Sequence, residues 1–270
     1  MKLAILVPYK DRSDYIKIFL DNVPRYLEDV NGIRDYVIYV AEQVSSEVFN
    51  LSLSRNIAAS FALGENKGFG YLIFHDVDVI PVEKIDYGPR QYNVAWFMSA
   101  GSCKVLIEDF VKANGYNPRF VGWGSEDTEF YHRLSSLNCD VQEWHRTGES
   151  KGAVILSLEM PNMSAADALS WSRSYFRYAG DGPLFRPFHP PNGEPGIARY
   201  DKSTDFFNSE YQRMNDRLWA SVYGMPLSEK LNYIKSNGLN LVDVSGVSVM
   251  DRTEKIVWLK YERNAVLVRQ

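Results

Sequence analysis

Three short runs of apolar residues, separated by helical patterns, limit the folds that are open to this chain. The runs cover residues 3–7, 36–40 and 71–74. Continuous hydrophobicity of this length is typical of strands that are buried on both faces of a parallel sheet. Helical patterns at residues 13–23 and 49–63 lie between the runs. Strands that alternate with helices predict the α/β class, with a mostly parallel central sheet flanked by helices.

A polar segment follows each of the three predicted strands, at residues 8–12, 41–43 and 76–78. The carboxyl ends of parallel strands share one edge of the sheet, which is where ligands bind in open α/β folds. Alternation along the chain puts Asp76 and Asp78 on the same side. Two carboxylates at this edge suit Mg²⁺ or Mn²⁺ bound with a diphosphate. The alternative is an acidic surface turn, because this pattern arises by chance in many proteins.

A second acidic motif begins where Trp123 stands between two glycines. Glu126, Asp127 and Glu129 follow at the start of a predicted helix. Acids in a first helical turn are stabilised by the helix dipole, which is the structural explanation of this cluster. It does not explain the adjoining tryptophan. An aromatic ring beside carboxylates is common in sugar-binding sites, and a carboxylate there can act as a general base.

Charge and composition exclude several classes of protein. The 270 residues carry a net charge of −4, which gives no basic surface for nucleic acid. No apolar stretch reaches membrane-spanning length, so membrane contact is expected to be peripheral. Cys103 and Cys139 form no metal-binding pattern, which argues against a structural zinc site and fits a reducing compartment. A disulfide between these two cysteines remains an open alternative.

The C-terminal half is predicted to complete one domain over residues 1–270. Proline and glycine are dense after residue 185, and we interpret residues 186–205 as a mobile lid loop. A helix over residues 206–223 and a strand over residues 239–244 are expected next. A β-hairpin over residues 248–261 closes the chain.

In order along the chain, these motifs resemble the β-1,4-galactosyltransferase family, glycosyltransferase family 7. The pairing of Asp-Val-Asp with a later Gly-Trp-Gly-Ser-Glu-Asp, separated by Asn-Gly, carries most of the resemblance. It implies a GT-A fold and an inverting, Mn²⁺-dependent transfer from a UDP-sugar. The similar segments lie at residues 7–12, 39–43, 49–56, 74–81, 114–129 and 189–201.

The resemblance implies a role for each matching residue. Asp78 and His189 would bind Mn²⁺, a metal that suits mixed carboxylate and imidazole ligands. Asp127 would be the catalytic base, and Glu126 would help to position donor or acceptor. The residues implied for donor binding are Pro8, Tyr9, Lys10, Arg12, Phe49, Asp76 and Trp123, and those implied for acceptor binding are Trp123, Thr128 and Glu129.

The chain departs from the family pattern at several positions. Thr128 replaces an acid, although Glu129 restores a carboxylate one residue later. Leu51 replaces an arginine that contacts the donor, and Arg55 is the candidate to supply that contact. Arg186 replaces a methionine that would be a third metal ligand. Residues 146–185 form an insertion relative to the family.

The other histidines have simpler interpretations. His145 is a rival to His189 as a metal ligand because it lies closer in sequence to the acidic motif. His75 is expected to support the site from behind, and His132 to lie on a helix surface.

The sequence therefore predicts an enzyme that transfers galactose or N-acetylgalactosamine from a UDP-sugar to a saccharide or glycolipid hydroxyl. A catalytically degenerate carbohydrate-binding protein and a metal-dependent nucleotidyltransferase are the alternatives. We expect a cytoplasmic protein, peripheral at the inner membrane face, that acts in surface polysaccharide or glycolipid synthesis.

Overall fold

The structure is a computed structural model that describes residues 2–65, 67–77, 79–81, 87, 93–94, 102–122, 124–139, 185–187 and 209–266. Its elements, in chain order, are β1 (Lys2–Tyr9), α1 (Ser13–Arg25), β2 (Tyr36–Gln43), α2 (Leu51–Gly64), β3 (Phe69–His75), β4 (Val79–Pro81), β5 (Asn93–Val94), β6 (Ser102–Leu106), α3 (Ile107–Lys112), α4 (Glu126–Ser136), β7 (Phe185–Pro187), α5 (Ser209–Tyr223), α6 (Leu227–Ser236), β8 (Ser248–Arg252), β9 (Ile256–Tyr261) and α7 (Arg263–Val266).

The central element is a seven-stranded sheet with the order β5-β6-β3-β1-β2-β9-β8. β1 pairs in parallel with β2 and β3, and β2 pairs in parallel with β9. Antiparallel pairs of β3 with β6, β6 with β5, and β9 with β8 complete the two sides. The predicted α/β class, the parallel centre and the C-terminal hairpin are confirmed. Because β1, β2 and β3 are parallel, the segments that follow them meet at one edge.

The continuous apolar runs are explained by helices that cover both faces of the sheet. Leu3, Ile5 and Val7 of β1 pack on the side that carries α1. Ala4 and Leu6 point to the opposite side and pack in the core that contains α2. Each strand residue therefore needs an apolar side chain, and the alternating pattern of a half-exposed sheet is absent.

A small second sheet lies beside the segment that follows β3. Strand β4 pairs antiparallel with β7, with Ile80 opposite Arg186. This pairing joins the chain just after Asp78 to the chain just before His189. The rest of the predicted lid and nearly all of the 146–185 insertion lie outside the described residues, and the single-domain organisation stays a prediction.

The predicted strand at residues 239–244 is wrong. Two 3₁₀ turns, Leu239–Leu241 and Val244–Gly246, occupy this region. The amide of Leu239 donates to the carbonyl of Asn114 at 2.7 Å, and the amide of Leu241 donates to the carbonyl of Gly238 at 3.0 Å. These local and loop-directed hydrogen bonds replace a strand ladder.

The structure also bears on the two cysteines and on the question of membrane-spanning helices. Cys103 and Cys139 are both free thiols, so the open alternative of a disulfide is not realised. Among the described residues, no helix combines the length and apolar character needed to cross a membrane.

Gly238 is the point at which the C-terminal segment approaches the loop after α3. A Cβ atom on Gly238 would lie 1.8 Å from the carbonyl oxygen of Asn114. The side-chain amide of Asn114 in turn donates to the carbonyl of Ile234 at 2.9 Å. The close backbone approach therefore depends on the missing side chain.

We predict that Gly238→Ala destabilises the protein by about 3 kcal/mol or more, because the clash involves backbone that cannot move aside alone. Urea unfolding of the purified protein measures this. Gly64→Ala is the matched control, since a Cβ at Gly64 meets nothing within 4 Å. The control is expected to be neutral or stabilising by up to about 1 kcal/mol. Equal stability of the two variants would contradict the close approach.

Candidate active site

The loop before α4 has an unusual backbone that aims the first turn of the helix. Gly122, Gly124 and Ser125 all have positive φ, at 70°, 108° and 70°. For a serine this conformation costs about 1–3 kcal/mol and persists only when its surroundings enforce it. The amide of Gly122 donates to the carbonyl of Phe49 at 3.0 Å, which ties the loop to the start of α2.

Helix α5 holds the same loop from the other side. The fully buried Asn215 donates to the carbonyls of Val121 at 2.9 Å and Gly124 at 3.1 Å. The side-chain oxygen Oδ1 of Asn215 accepts a hydrogen bond from the backbone amide of Val121 at 3.3 Å. The neighbouring Asp216 is hydrogen-bonded to Ser125. Asn215 is not among the residues predicted from the sequence. Its position four residues before the buried Trp219 was a signal that both side chains lie on the buried face of one helix.

Arg55 of α2 joins the two acidic motifs. Its Nη1 donates to Oδ1 of Asp127 in a short hydrogen bond and lies 3.8 Å from Oε1 of Glu126. Its Nη2 donates to Oδ1 of Asp76 at 3.3 Å. The guanidinium stacks over the ring of Tyr116, 4.8 Å from the centroid. The end of β3 and the start of α4, which the sequence predicted to share a site, are therefore brought together.

This geometry directs Arg55 at carboxylates of the protein, and its implied contact with the donor stays a prediction. Its side chain is 5% exposed, and both terminal nitrogens are directed at carboxylates of the protein. Burial would lower the pKa of Arg55, but Asp127 and Asp76 are among the groups that raise it well above the usual arginine value. The guanidinium is therefore a fixed positive charge inside the site.

The two neighbouring acids of α4 differ in environment. Burial, followed by the charge of Asp127, raises the pKa of Glu126 to about 8, against the opposing effect of Arg55. Glu126 therefore holds its proton more tightly than an ordinary glutamic acid. The Asp127 side chain is 25% exposed and the Asp76 side chain 26% exposed. Asp127 is thus the acid of this pair that a substrate can reach.

Glu129 does not lie at the edge of the site, so its predicted acceptor contact is wrong. The residue is 0% exposed, and both carboxylate oxygens accept from Nε of Arg133 at 2.8 Å. Glu126, Glu129 and Arg133 share the buried face of α4. Because a helix turns by about 100° per residue, moving an acid from position 128 to 129 carries it into the core. Thr128 is partly exposed, and its acceptor role stays a prediction.

The carboxyl end of β1 and the segment after it carry most of the implied donor residues. Pro8 and Tyr9 are buried at the carboxyl end of the strand. The ammonium of Lys10 is enclosed and donates to the carbonyl of Ser45 at 2.6 Å. The same ammonium also forms an ion pair with Asp11 at 3.1 Å. Arg12 is partly exposed, and the donor roles of these residues and of the buried Phe49 stay predictions.

His75 and His132 have structural roles. The ring of His75 is fully buried, with Nδ1 2.9 Å from the carbonyl of Asp76 and Nε2 2.9 Å from the hydroxyl of Tyr87. These contacts fit a residue that supports the backbone of Asp76 from behind the site, and that role stays a prediction. His132 packs edge-on against Trp219, with ring centroids 4.7 Å apart, and burial lowers its pKa to about 4. It is partly exposed, so it lies on the surface of α4 as predicted, beside Trp219 of α5.

The candidate metal ligands and the tryptophan implied for sugar binding lie outside the described residues. They are Asp78, His189, the rival His145, and Trp123. Among the residues that are described, no group of three or more His, Cys, Asp or Glu side chains could hold a metal ion.

Comparison with known proteins assigns the chain to a class and then to a family. A model of the N-terminal region of glycosyl transferase group 7 matches residues 1–88, and a model of the N-terminal domain of galactosyltransferase matches residues 86–153. Both describe glycosyltransferases, and together they cover more than half of the chain. The chain belongs to glycosyltransferase family 7.

Curated relatives match about half of this chain. Human β-1,4-galactosyltransferase 7 is 31% identical over 154 residues, which is 52% of this chain and 46% of that protein. Pig β-1,4-galactosyltransferase 5 is 28% identical over 155 residues, which is 52% of this chain and 39% of that protein. Xylosylprotein 4-beta-galactosyltransferase of Caenorhabditis elegans is 28% identical over 156 residues, which is 51% of this chain and 52% of that protein. The chain spans about half the length of the curated relatives that it matches.

Solved structures extend the likeness in fold to the whole chain. The catalytic domain of Drosophila β-1,4-galactosyltransferase 7 in complex with xylobiose aligns with a TM-score of 0.59 at 18% identity, over 100% of this chain and 94% of that one. A mutant of the same enzyme with manganese, UDP-Gal and xylobiose aligns with a TM-score of 0.57 at 16% identity, over the same shares. The predicted fold is confirmed.

We predict that the metal-free protein loses stability as the pH rises from about 5 to about 8, and that Glu126→Gln removes part of this loss. The pKa of Glu126 is about 8 when folded, against an ordinary value of 4.5. Its proton is therefore held more tightly in the folded state, and deprotonation between these values favours unfolding.

Urea unfolding across this pH range, with chelator present, measures the effect. Glu254→Gln makes the same substitution at the exposed turn before β9 and is the control. It should follow the wild-type pH dependence. If Glu126→Gln does so too, the raised pKa of Glu126 is wrong.

Proposed function

We propose that the protein is an inverting glycosyltransferase that moves a hexose from a UDP-sugar to a saccharide hydroxyl group, with Mn²⁺ as its metal. The observation that carries this is the assembly of Asp76 and Asp127, from separate motifs, around one buried arginine at the ligand-binding edge of a family 7 fold. Galactose is the favoured sugar because the matched relatives are named galactosyltransferases. The xylobiose bound to the Drosophila enzyme supports a saccharide acceptor.

In this proposal Asp127 is the general base. Its carboxylate takes the proton of the acceptor hydroxyl as the hydroxyl oxygen attacks the anomeric carbon, and UDP leaves from the opposite face with inversion. The partial exposure of Asp127 fits this role, as does its fixed contact with Arg55. The raised pKa of the neighbouring Glu126 favours its protonated form, which can donate a hydrogen bond to help position donor or acceptor.

The residues fit a manganese ion. Asp78 and His189 would hold it, with Asp76 in support. The pairing of β4 with β7 brings together the two stretches of backbone that lead from Asp78 and toward His189. Carboxylate and imidazole ligands together favour Mn²⁺ over Mg²⁺. When bound, the metal neutralises negative charge on the departing diphosphate.

The alternative, a degenerate carbohydrate-binding protein, is not favoured. Asp76, Glu126 and Asp127 remain assembled, and an arginine is buried among them. A binding protein without catalysis has no need to keep this costly arrangement. The cytoplasmic location and the role in surface polysaccharide or glycolipid synthesis stay predictions.

We predict that Asp127→Asn lowers transfer by about 10²–10⁴-fold, the usual contribution of a general base, and leaves Mn²⁺-dependent UDP binding intact. UDP release from UDP-galactose, with Mn²⁺ and a panel of xylosides, glucosides and N-acetylglucosaminides, measures transfer. Calorimetry measures UDP binding. Asp21→Asn on the exposed side of α1 is the control and should transfer at the wild-type rate.

Normal transfer by Asp127→Asn would refute the assignment of the base. Failure of the wild-type protein to bind or turn over any UDP-sugar with Mn²⁺ would refute the function itself.

A further inference from the structure

Arg55 lies where the two halves of the proposed site meet. Nη2 faces Asp76 at the end of β3, and Nη1 faces Asp127 and Glu126 in the first turn of α4. The side chain is supplied by a third element, α2, whose residues around Arg55 are buried. The guanidinium is therefore held by packing on one side and by carboxylates on the other.

A second buried arginine, Arg133 on α4, forms an ion pair that has only a structural role. Arg133 binds Glu129, and both side chains are enclosed, at 1% and 0% exposure. Nη1 of Arg133 also donates to the carbonyls of Ala113 and Gly115, at 3.2 and 3.3 Å. This pair closes on itself in the interior of the protein.

Arg55 differs because its partners stay accessible. The guanidinium is buried, but Asp127 and Asp76 each keep about a quarter of their side chain exposed. A buried cation is costly unless it is paired, so the contacts with these acids are strongly held. The arrangement therefore fixes two carboxylates at the surface of the site instead of enclosing them.

We propose that Arg55 is a positioning residue that orients the catalytic base and sets its place relative to the donor side of the site. This rests on the proposed function. The hydrogen bond from Nη1 uses Oδ1 of Asp127, which leaves Oδ2 to accept the proton of the acceptor hydroxyl. The planar fork of the guanidinium binds Asp76 with its second nitrogen, so the two carboxylates are held in one geometry.

Arg55→Lys separates this role from a donor contact. Lysine keeps the charge but cannot bind both carboxylates with a rigid fork. Misplacement of a catalytic group by about 1 Å costs on the order of 10²-fold, so we expect kcat to fall by about that factor. The KM for UDP-galactose and the Kd for UDP with Mn²⁺ should stay within about threefold of wild type. A raised donor KM with unchanged kcat would instead make Arg55 a donor contact and overturn the proposal.

A double-mutant cycle with Asp127→Asn tests whether Arg55 acts through the base. With the base removed, Arg55→Lys should lower the residual rate by less than about threefold, because residues that act as a unit are not additive. The same loss in both backgrounds would assign Arg55 a general structural role and contradict the proposal. Arg133→Lys is the matched buried control and should leave kcat within about threefold of wild type.

The two levels of the proposal fail in different ways. If the wild-type protein shows no Mn²⁺-dependent turnover with any UDP-sugar, the proposed function fails and the role of Arg55 fails with it. If the wild-type protein is active and Arg55→Lys has a wild-type kcat, the positioning role alone is wrong.

Discussion

The buried positive charge of Arg55 needs negatively charged partners, and its contacts with them hold the parts of the candidate site together. The cation comes from α2, while the acids come from the end of β3 and the first turn of α4. Without these acids the guanidinium would be buried without partners, which is strongly destabilising. The stability of the fold and the assembly of the site therefore depend on the same contacts.

Within this cluster, the adjacent carboxyl groups of Glu126 and Asp127 have different environments. Burial raises the pKa of Glu126 to about 8, while Asp127 lies partly exposed and bound to Arg55. Two neighbouring acids in different environments can serve different chemical roles. Consecutive side chains on a helix point about 100° apart, which places Glu126 in the core and Asp127 toward the site. The loop that leads into this helix is held by hydrogen bonds from Asn215 on α5.

Much of the fold could be predicted because burial on both faces leaves a direct mark on the sequence, as in the runs that became β1, β2 and β3. The apolar stretch after Gly238 was misassigned because hydrophobicity alone does not distinguish a strand from turns packed on a loop. Within the site, motif spacing found Asp76 and Asp127 but misplaced Glu129, since one residue of offset on a helix changes its face. The roles of Arg55 and Asn215 depend on contacts between distant segments, which a single sequence does not encode locally.

The central claim is that a donor and its metal bind at the carboxyl edge of the sheet, beside a base that Arg55 holds in place. A crystal structure with Mn²⁺ and a UDP-sugar tests this most directly. We expect the metal to be bound by Asp78 and His189, with Asp127 still bound to Arg55 and close to the anomeric carbon of the donor. A metal held by other residues, or a donor bound away from this edge, would contradict it.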